Sequence, residues 1–409
     1  MPKTREYPIK KRDRSEQLQF FKHEEALKKA LQLDPASEEA LVGLARLALM
    51  KKEGDVALQL LQRVLKLHPN HAEALALKGI LFMDREEFQQ AIEFLERARS
   101  ADSNLAMVYF NLGRSYCEIG QLPAPEEFLQ KALDMNPDHF QALSQLSYIQ
   151  IETGRVEEGI QSMLQAIRIN PLYLKGYLIL GSLYENAGKG ELMLRLYRCG
   201  LRHNPNAFPL RERLCSLYAL KMDFRSAYVE ALEIVRRRSA SQDYLRLGIF
   251  AVALRKLEIA EKAFQSAIDL NPRSWEGHYN LGELYLSANL TQQAKEHYER
   301  AVALNCGSHK PLNGMGLYLL LVDQNCDAAI QLFKQALELA PARPEPRLNL
   351  ALAYAKKGDA RMAGKFAESV LSLTNPGDAL HGDAQRLQLA IREETLRSDI
   401  QGHTLRSLQ

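Results

Sequence analysis

The stretch Tyr109-Phe-Asn-Leu-Gly113, followed by Tyr116, Leu129, Ala132 and Pro137, carries the pattern from which the rest of this 409-residue chain can be read. Gly113 lies four residues after Tyr109 and three before Tyr116, so one helix face bears a small residue between two large ones. The small residue admits a second helix at close range. That second helix holds Leu129 and Ala132 and ends at Asn136-Pro137.

The same ending returns on a ruler of 34 residues: Ala30-Leu-Gln-Leu-Asp-Pro35, Val64-Leu-Lys-Leu-His-Pro69, Ala132-Leu-Asp-Met-Asn-Pro137 and Ala166-Ile-Arg-Ile-Asn-Pro171. The ruler also reaches Ser103, Pro205 and Ser239 and, after slips of one residue, Pro272, Cys306, Pro341 and the Asn375-Pro376 pair. About ten units of one design fill the chain. A unit this short cannot bury its own apolar face, so neighbours must stack into a solenoid with an extended groove.

The helix-face pattern recurs with the ruler. It reads Tyr177, Leu180, Gly181 and Tyr184; then Tyr244, Leu247, Gly248, Ala260, Phe264 and Ala267; then His278, Leu281, Gly282, Tyr285, Ala294, Tyr298 and Ala301. Weaker copies keep the spacing, as in Leu75, Gly79, Phe82, Ala91, Leu95 and Ala98, or Leu350, Ala351, Tyr354, Gly358 and Ala363. This resembles the tetratricopeptide repeat family over residues 15–376. The resemblance implies an all-α fold, a right-handed α-solenoid of about ten helix-turn-helix repeats closed by a C-terminal capping helix. It also implies a non-catalytic role in protein–protein interaction.

Five segments follow. Residues 1–14, with Lys3, Arg5, Lys10, Lys11, Arg12 and Arg14, read as a basic disordered arm. Residues 15–37 form a half repeat, 38–239 a front block and 240–376 a rear block. Residues 377–409 hold the capping helix, with Leu380, Ala384, Leu387 and Ile391 at helical spacing, and a tail. The joint between blocks is placed at Arg236-Arg-Arg-Ser-Ala-Ser-Gln242, where the junction Pro is missing and the register slips; a hinge there is one reading. Pro125 should delay the second helix of its unit until about Ala124, since Pro is tolerated only in a first turn. An extra residue in Val322-Asp-Gln-Asn-Cys-Asp327 lengthens one turn.

The composition gives no purchase to catalysis. Gly-x-Ser-x-Gly, phosphate-cradling, dinucleotide and His-Glu-x-x-His motifs are absent, and no cofactor is implied. Five cysteines, Cys117, Cys199, Cys215, Cys306 and Cys326, never pair as Cys-x-x-Cys. Cys215 falls in the small slot of its unit and reads as a buried apolar residue. His68 and His71 flank an inter-repeat turn and read as surface residues rather than metal ligands. With no secretory signal and no apolar run of membrane length, the expected location is cytoplasmic.

The candidate site follows from the resemblance, which implies that first helices line the groove through the positions two and three before the small slot, one after it and four after it. In the front block these include Arg46, Phe110, Asn111, Arg114 and Tyr148; in the rear block Leu245, Ile249, Val252, Tyr279, Asn280, Leu286, Leu317 and Asn349. The three asparagines share a slot that some family members use to hold a peptide main chain, although an Asn there can equally tether its own neighbours. Phe110 stands where chaperone-docking members carry a clamp Lys, which argues against that kind of partner. With Leu320, Leu348 and Leu352, the rear block is expected to show an apolar stripe suited to an amphipathic helix or to the chain's own C-terminal helix.

Charge points to a second reading. From Lys189 to Lys256 there are 14 basic residues against 6 acidic ones in a chain of net charge +3. This belt, with Arg236, Arg237 and Arg238, could bind RNA or another polyanion. The arginines end a helix, however, and no aromatic residues interleave with them, so an acidic protein partner fits better. The expectation is a scaffold or adaptor for other proteins, within a larger complex or as a homo-oligomer.

Overall fold

The structure, a computed structural model, describes residues 14–120, 124–305 and 307–406; the arm up to Asp13 and Cys306 lie outside the described residues. Among the described residues there are 22 helices and no strand. A lone helix, Arg14–Leu33, is followed by ten helix pairs, from Glu38–Met50 with Gly54–Leu67 to Pro344–Lys356 with Ala360–Leu373, and by a final helix, Ala379–Arg406. The pairs are numbered here as repeats 1 to 10.

The ruler seen in the prolines has its counterpart in the turn inside each repeat. One residue there takes the left-handed conformation: Lys52, Glu86, Gly120, Gly154, Gly188, Met222, Arg255, Asn289, Gln324 and Gly358. The spacing shortens by one before Arg255 and lengthens by one before Gln324, which locates both sequence slips. The long turn of repeat 9 is absorbed by Asn325, whose Oδ1 accepts from the Ala328 amide at 3.1 Å and caps the next helix.

Packing within a repeat rests on the small slot. At Gly248 a Cβ would sit 2.4 Å from Cε1 of Phe264, a distance at which the two helices could not remain as close. Phe264 is buried, as are Leu129 opposite Gly113 and Phe333 opposite Gly316. In repeats 4 and 6 the slot carries a small polar group that finds a partner across the same gap. Ser147 Oγ donates to the Gly159 carbonyl at 2.6 Å. Cys215 Sγ lies 3.6 Å from the Ala227 carbonyl, and burial pushes this thiol up to about 12. The delayed helix of repeat 3 runs Ala124–Met135, 12 residues long. Glu126 in its first turn accepts two hydrogen bonds from Arg155, at 2.8 and 2.6 Å.

The chain forms two compact units, Met1–Asn204 and Pro205–Gln409, each with five repeats. The division falls one repeat before the 239/240 boundary drawn from the sequence. The irregular segment 236–242 is instead fastened inside the second unit. Arg238 reaches Asp243 through Nε at 2.8 Å and Nη2 at 2.6 Å, and Glu212 at 2.5 Å. Its guanidinium also lies over the Phe208 ring at 4.7 Å. At the other end, Ala384 of the final helix is fully buried with Leu348 and Val370, while Leu380 and Leu387 pack around them. This helix covers the last repeat.

Candidate functional site

First helices of successive repeats supply most of the lining of two cavities, because second helices place their large residues into the small slots and leave the opposite edge of the first helices uncovered. In the first unit a cavity of about 580 Å³ is formed by repeats 3, 4 and 5. Tyr148, Ile151, Ile179 and Leu183 supply apolar surface, and Gln145, Lys175 and Glu118 supply polar groups. Tyr148 is 54% exposed. The half-buried Cys117 also lines it, with its thiol pushed up to about 11 by burial, far from the thiolate form a nucleophile needs.

In the second unit a cavity of about 290 Å³ lies over repeats 7, 8 and 9. Leu245 and Phe250 form its floor, Ile249, Trp275 and Tyr279 its walls, and Gln242, Arg246, Glu276, Asn280 and Lys310 its polar rim. Ile249 is 49% exposed; Val252 on the same helix and Leu352 on the first helix of repeat 10 are also exposed. The apolar stripe is narrower than the sequence pattern implies. Leu245 is only 3% exposed and contributes by its edge, and Leu320 at 3% and Leu348 at 6% belong to the core. Leu320 packs with Phe333 and Leu350, and Leu348 is covered by the final helix. Leu317 and Leu286 are half-buried against neighbouring repeats.

Two family models described as tetratricopeptide repeat match residues 24–81 and residues 110–173, 245–309 and 317–378. The chain belongs to the tetratricopeptide repeat family. A search of curated proteins returned no match. Among solved structures, yeast Tom70 is 15% identical, with a TM-score of 0.46 over 94% of this chain and 95% of that one. Cut9–Hcn1, from an APC/C hetero-tetramer, is also 15% identical, with a TM-score of 0.46 over 92% and 94%. YrrB, described as a TPR protein with an unusual peptide-binding site, is 18% identical, with a TM-score of 0.37 over 48% and 99%.

Within the tetratricopeptide frame, the shared asparagine slot has a definite occupation. Asn111 is buried and donates through Nδ2 to the Met107 carbonyl at 2.8 Å. Asn280 does the same to Glu276 at 2.7 Å, and Asn349, also buried, donates to Asn313 Oδ1 at 2.9 Å. Asn280 alone of the three lines a cavity described here. Phe110 packs against His139 with ring centroids 4.5 Å apart and planes tilted by 37°, and the half-buried Arg114 lies over Phe110 at 5.8 Å. Arg46, exposed in repeat 1, is paired with Glu73 of repeat 2.

The basic tetratricopeptide segment is less available than its charge count implies. Arg236 and Arg237 bind Glu233 at 2.9 and 3.3 Å, and Arg237 also donates to Asn206 Oδ1 at 3.1 Å. Arg246 approaches the buried Asp243 at 3.4 Å. The nearby Arg211 pairs with Glu230 at 2.5 Å. His68 and His71 both face Glu38, at 2.7 and 3.5 Å, and His71 Nδ1 accepts from the Ala74 amide at 3.3 Å as a helix cap.

A polar cluster in repeat 8 went unnoticed in the sequence. Glu283 accepts from the buried Tyr298 hydroxyl at 2.8 Å and from Tyr279, and burial raises its carboxyl above the usual range. Beside it, His278 and His297 face each other with Nδ1 atoms 3.0 Å apart. Their joining brings together residues 19 apart in sequence on two successive helices, for which no local motif exists. Among the described residues no group of three or more metal-ligating side chains occurs, and no helix is long and apolar enough to cross a membrane.

Proposed function

We propose that this tetratricopeptide protein is a non-catalytic scaffold or adaptor that holds an extended segment or amphipathic helix of a protein partner against its first helices, within a larger complex. The observation that carries the reading is the cavity of repeats 7 to 9, where the exposed Ile249 stands beside Trp275 and Tyr279 inside a rim of Gln242, Arg246, Asn280 and Lys310. An apolar floor gives affinity to a partner's buried side chains, and convergent donors fix its orientation. Lys310 favours an acidic residue beside the partner's apolar anchor. The first unit's cavity around Tyr148 offers a second contact of the same kind. A cytoplasmic setting suits this role.

Polyanion binding through the belt remains the competing reading, and the carboxylate partners of Arg236, Arg237 and Arg238 weigh against it. Affinity capture from a lysate of the source organism, with and without nuclease, separates the two. Partners that survive nuclease and disappear with Ile249→Asp support the groove. Partners lost on digestion and kept by Ile249→Asp overturn it.

A further inference from the structure

Repeat 8 carries a feature unrelated to the groove's apolar floor. His278, on the first helix Trp275–Ser287, and His297, on the second helix Thr291–Leu304, point their Nδ1 atoms at one another across 3.0 Å, with ring centroids 5.2 Å apart and planes inclined by 36°. With both rings neutral, one Nδ1 must carry a proton and the other accept it. Two nitrogens bound to one tetrahedral zinc ion at the usual bond length lie about 3.3 Å apart. The two rings therefore stand within a few tenths of an ångström of the separation that a shared metal ion requires.

We propose that His278 and His297 form a two-imidazole site for a late divalent transition ion of the zinc class, with water completing the coordination. Imidazole suits such ions, whereas magnesium and calcium prefer an oxygen shell. Binding requires both imidazoles in the neutral form. Burial favours that form, lowering His278 to about 4 and depressing His297. Around the pair, the Tyr285 ring lies tilted against His297 with centroids 5.5 Å apart, and its hydroxyl donates to Glu261 at 2.7 Å. Glu296 favours added positive charge near His297, and Arg300 opposes it near His278. With two protein nitrogens and that opposing charge, the site should be weaker than a three- or four-ligand one. An ion held there would clamp the two helices of repeat 8 together, on the same first helix that carries Tyr279 and Asn280.

The test is thermal unfolding of the full chain at pH 7.5 with Zn²⁺ in large excess, with Mg²⁺ as the hard-ion control. Zn²⁺ should raise the midpoint by at least about 2 °C and Mg²⁺ should not. H278Q and H297Q, each tested singly so that either can serve as the control, should abolish the shift. A midpoint that stays or falls with Zn²⁺ in the unsubstituted chain, or rises equally in both variants, overturns the site.

Discussion

Arg238 grips Asp243 with two hydrogen bonds, at 2.8 and 2.6 Å, and the Asp243 side chain has no exposure to solvent. A carboxylate buried to that degree depends on its cation. Arg238→Ala should destabilise the second unit by about 3 kcal/mol, somewhat less if Arg246, at 3.4 Å, moves closer. The urea midpoint reports this. A variant as stable as the parent would show that the junction is not held by this pair.

The same geometry changes how the basic segment should be tested. Arg236→Glu with Arg237→Glu reverses two exposed charges that pair with Glu233 and Asn206, and should leave the fold intact. Partner capture should survive this double variant and be lost with Ile249→Asp, whose exposed position tolerates a charge. Circular dichroism confirms folding in each case.

Glycines in two settings should respond oppositely to alanine. Gly248→Ala forces a methyl against Phe264 and should cost about 1–3 kcal/mol. Gly364, inside the helix Ala360–Leu373, has nothing within 4 Å of its would-be Cβ, so Gly364→Ala should stabilise by about 0.5–1 kcal/mol. Denaturation midpoints of the two variants check the pair.

Acid should weaken the second unit in a defined window. His278 drops to about 4 in the fold, against about 6.5 for an unstrained imidazole, with burial the main cause and His297 and Arg300 adding to it. As pH falls from about 6.5 towards about 4, the unfolded chain takes up a proton that the folded chain refuses, so stability declines through that interval and loses no more below it. The raised Glu283 carboxyl works the other way, favouring the fold as pH falls through the carboxylate range. Midpoints measured between pH 7.5 and pH 5 should fall for the parent and fall less for His278→Gln.

The repeat architecture was legible because it is local. The Gly113–Leu129 relation, the late start at Ala124 and the two register slips each depend on residues within one unit, so spacing alone exposes them. Of the groove positions expected from the spacing, Tyr148, Ile249, Tyr279 and Asn280 line cavities. What spacing could not convey is which neighbour covers a given position. Leu348 is hidden by Ala384, 36 residues later, and the 236–242 segment is fastened through Glu212, 26 residues before Arg238. The asparagine slot looked outward by position, but its amides turn back to Met107, Glu276 and Asn313.

Each of the ten repeats closes its own turn with one left-handed residue, six times without glycine. Every repeat is thus a finished part, folded back on itself before it meets the next, and its neighbours need only present the standard faces. Groove length in such a chain is a whole number of repeats. Duplication or excision of a 34-residue stretch outside repeats 3 to 5 and 7 to 9 can lengthen or shorten it in single steps, leaving both cavities as they were.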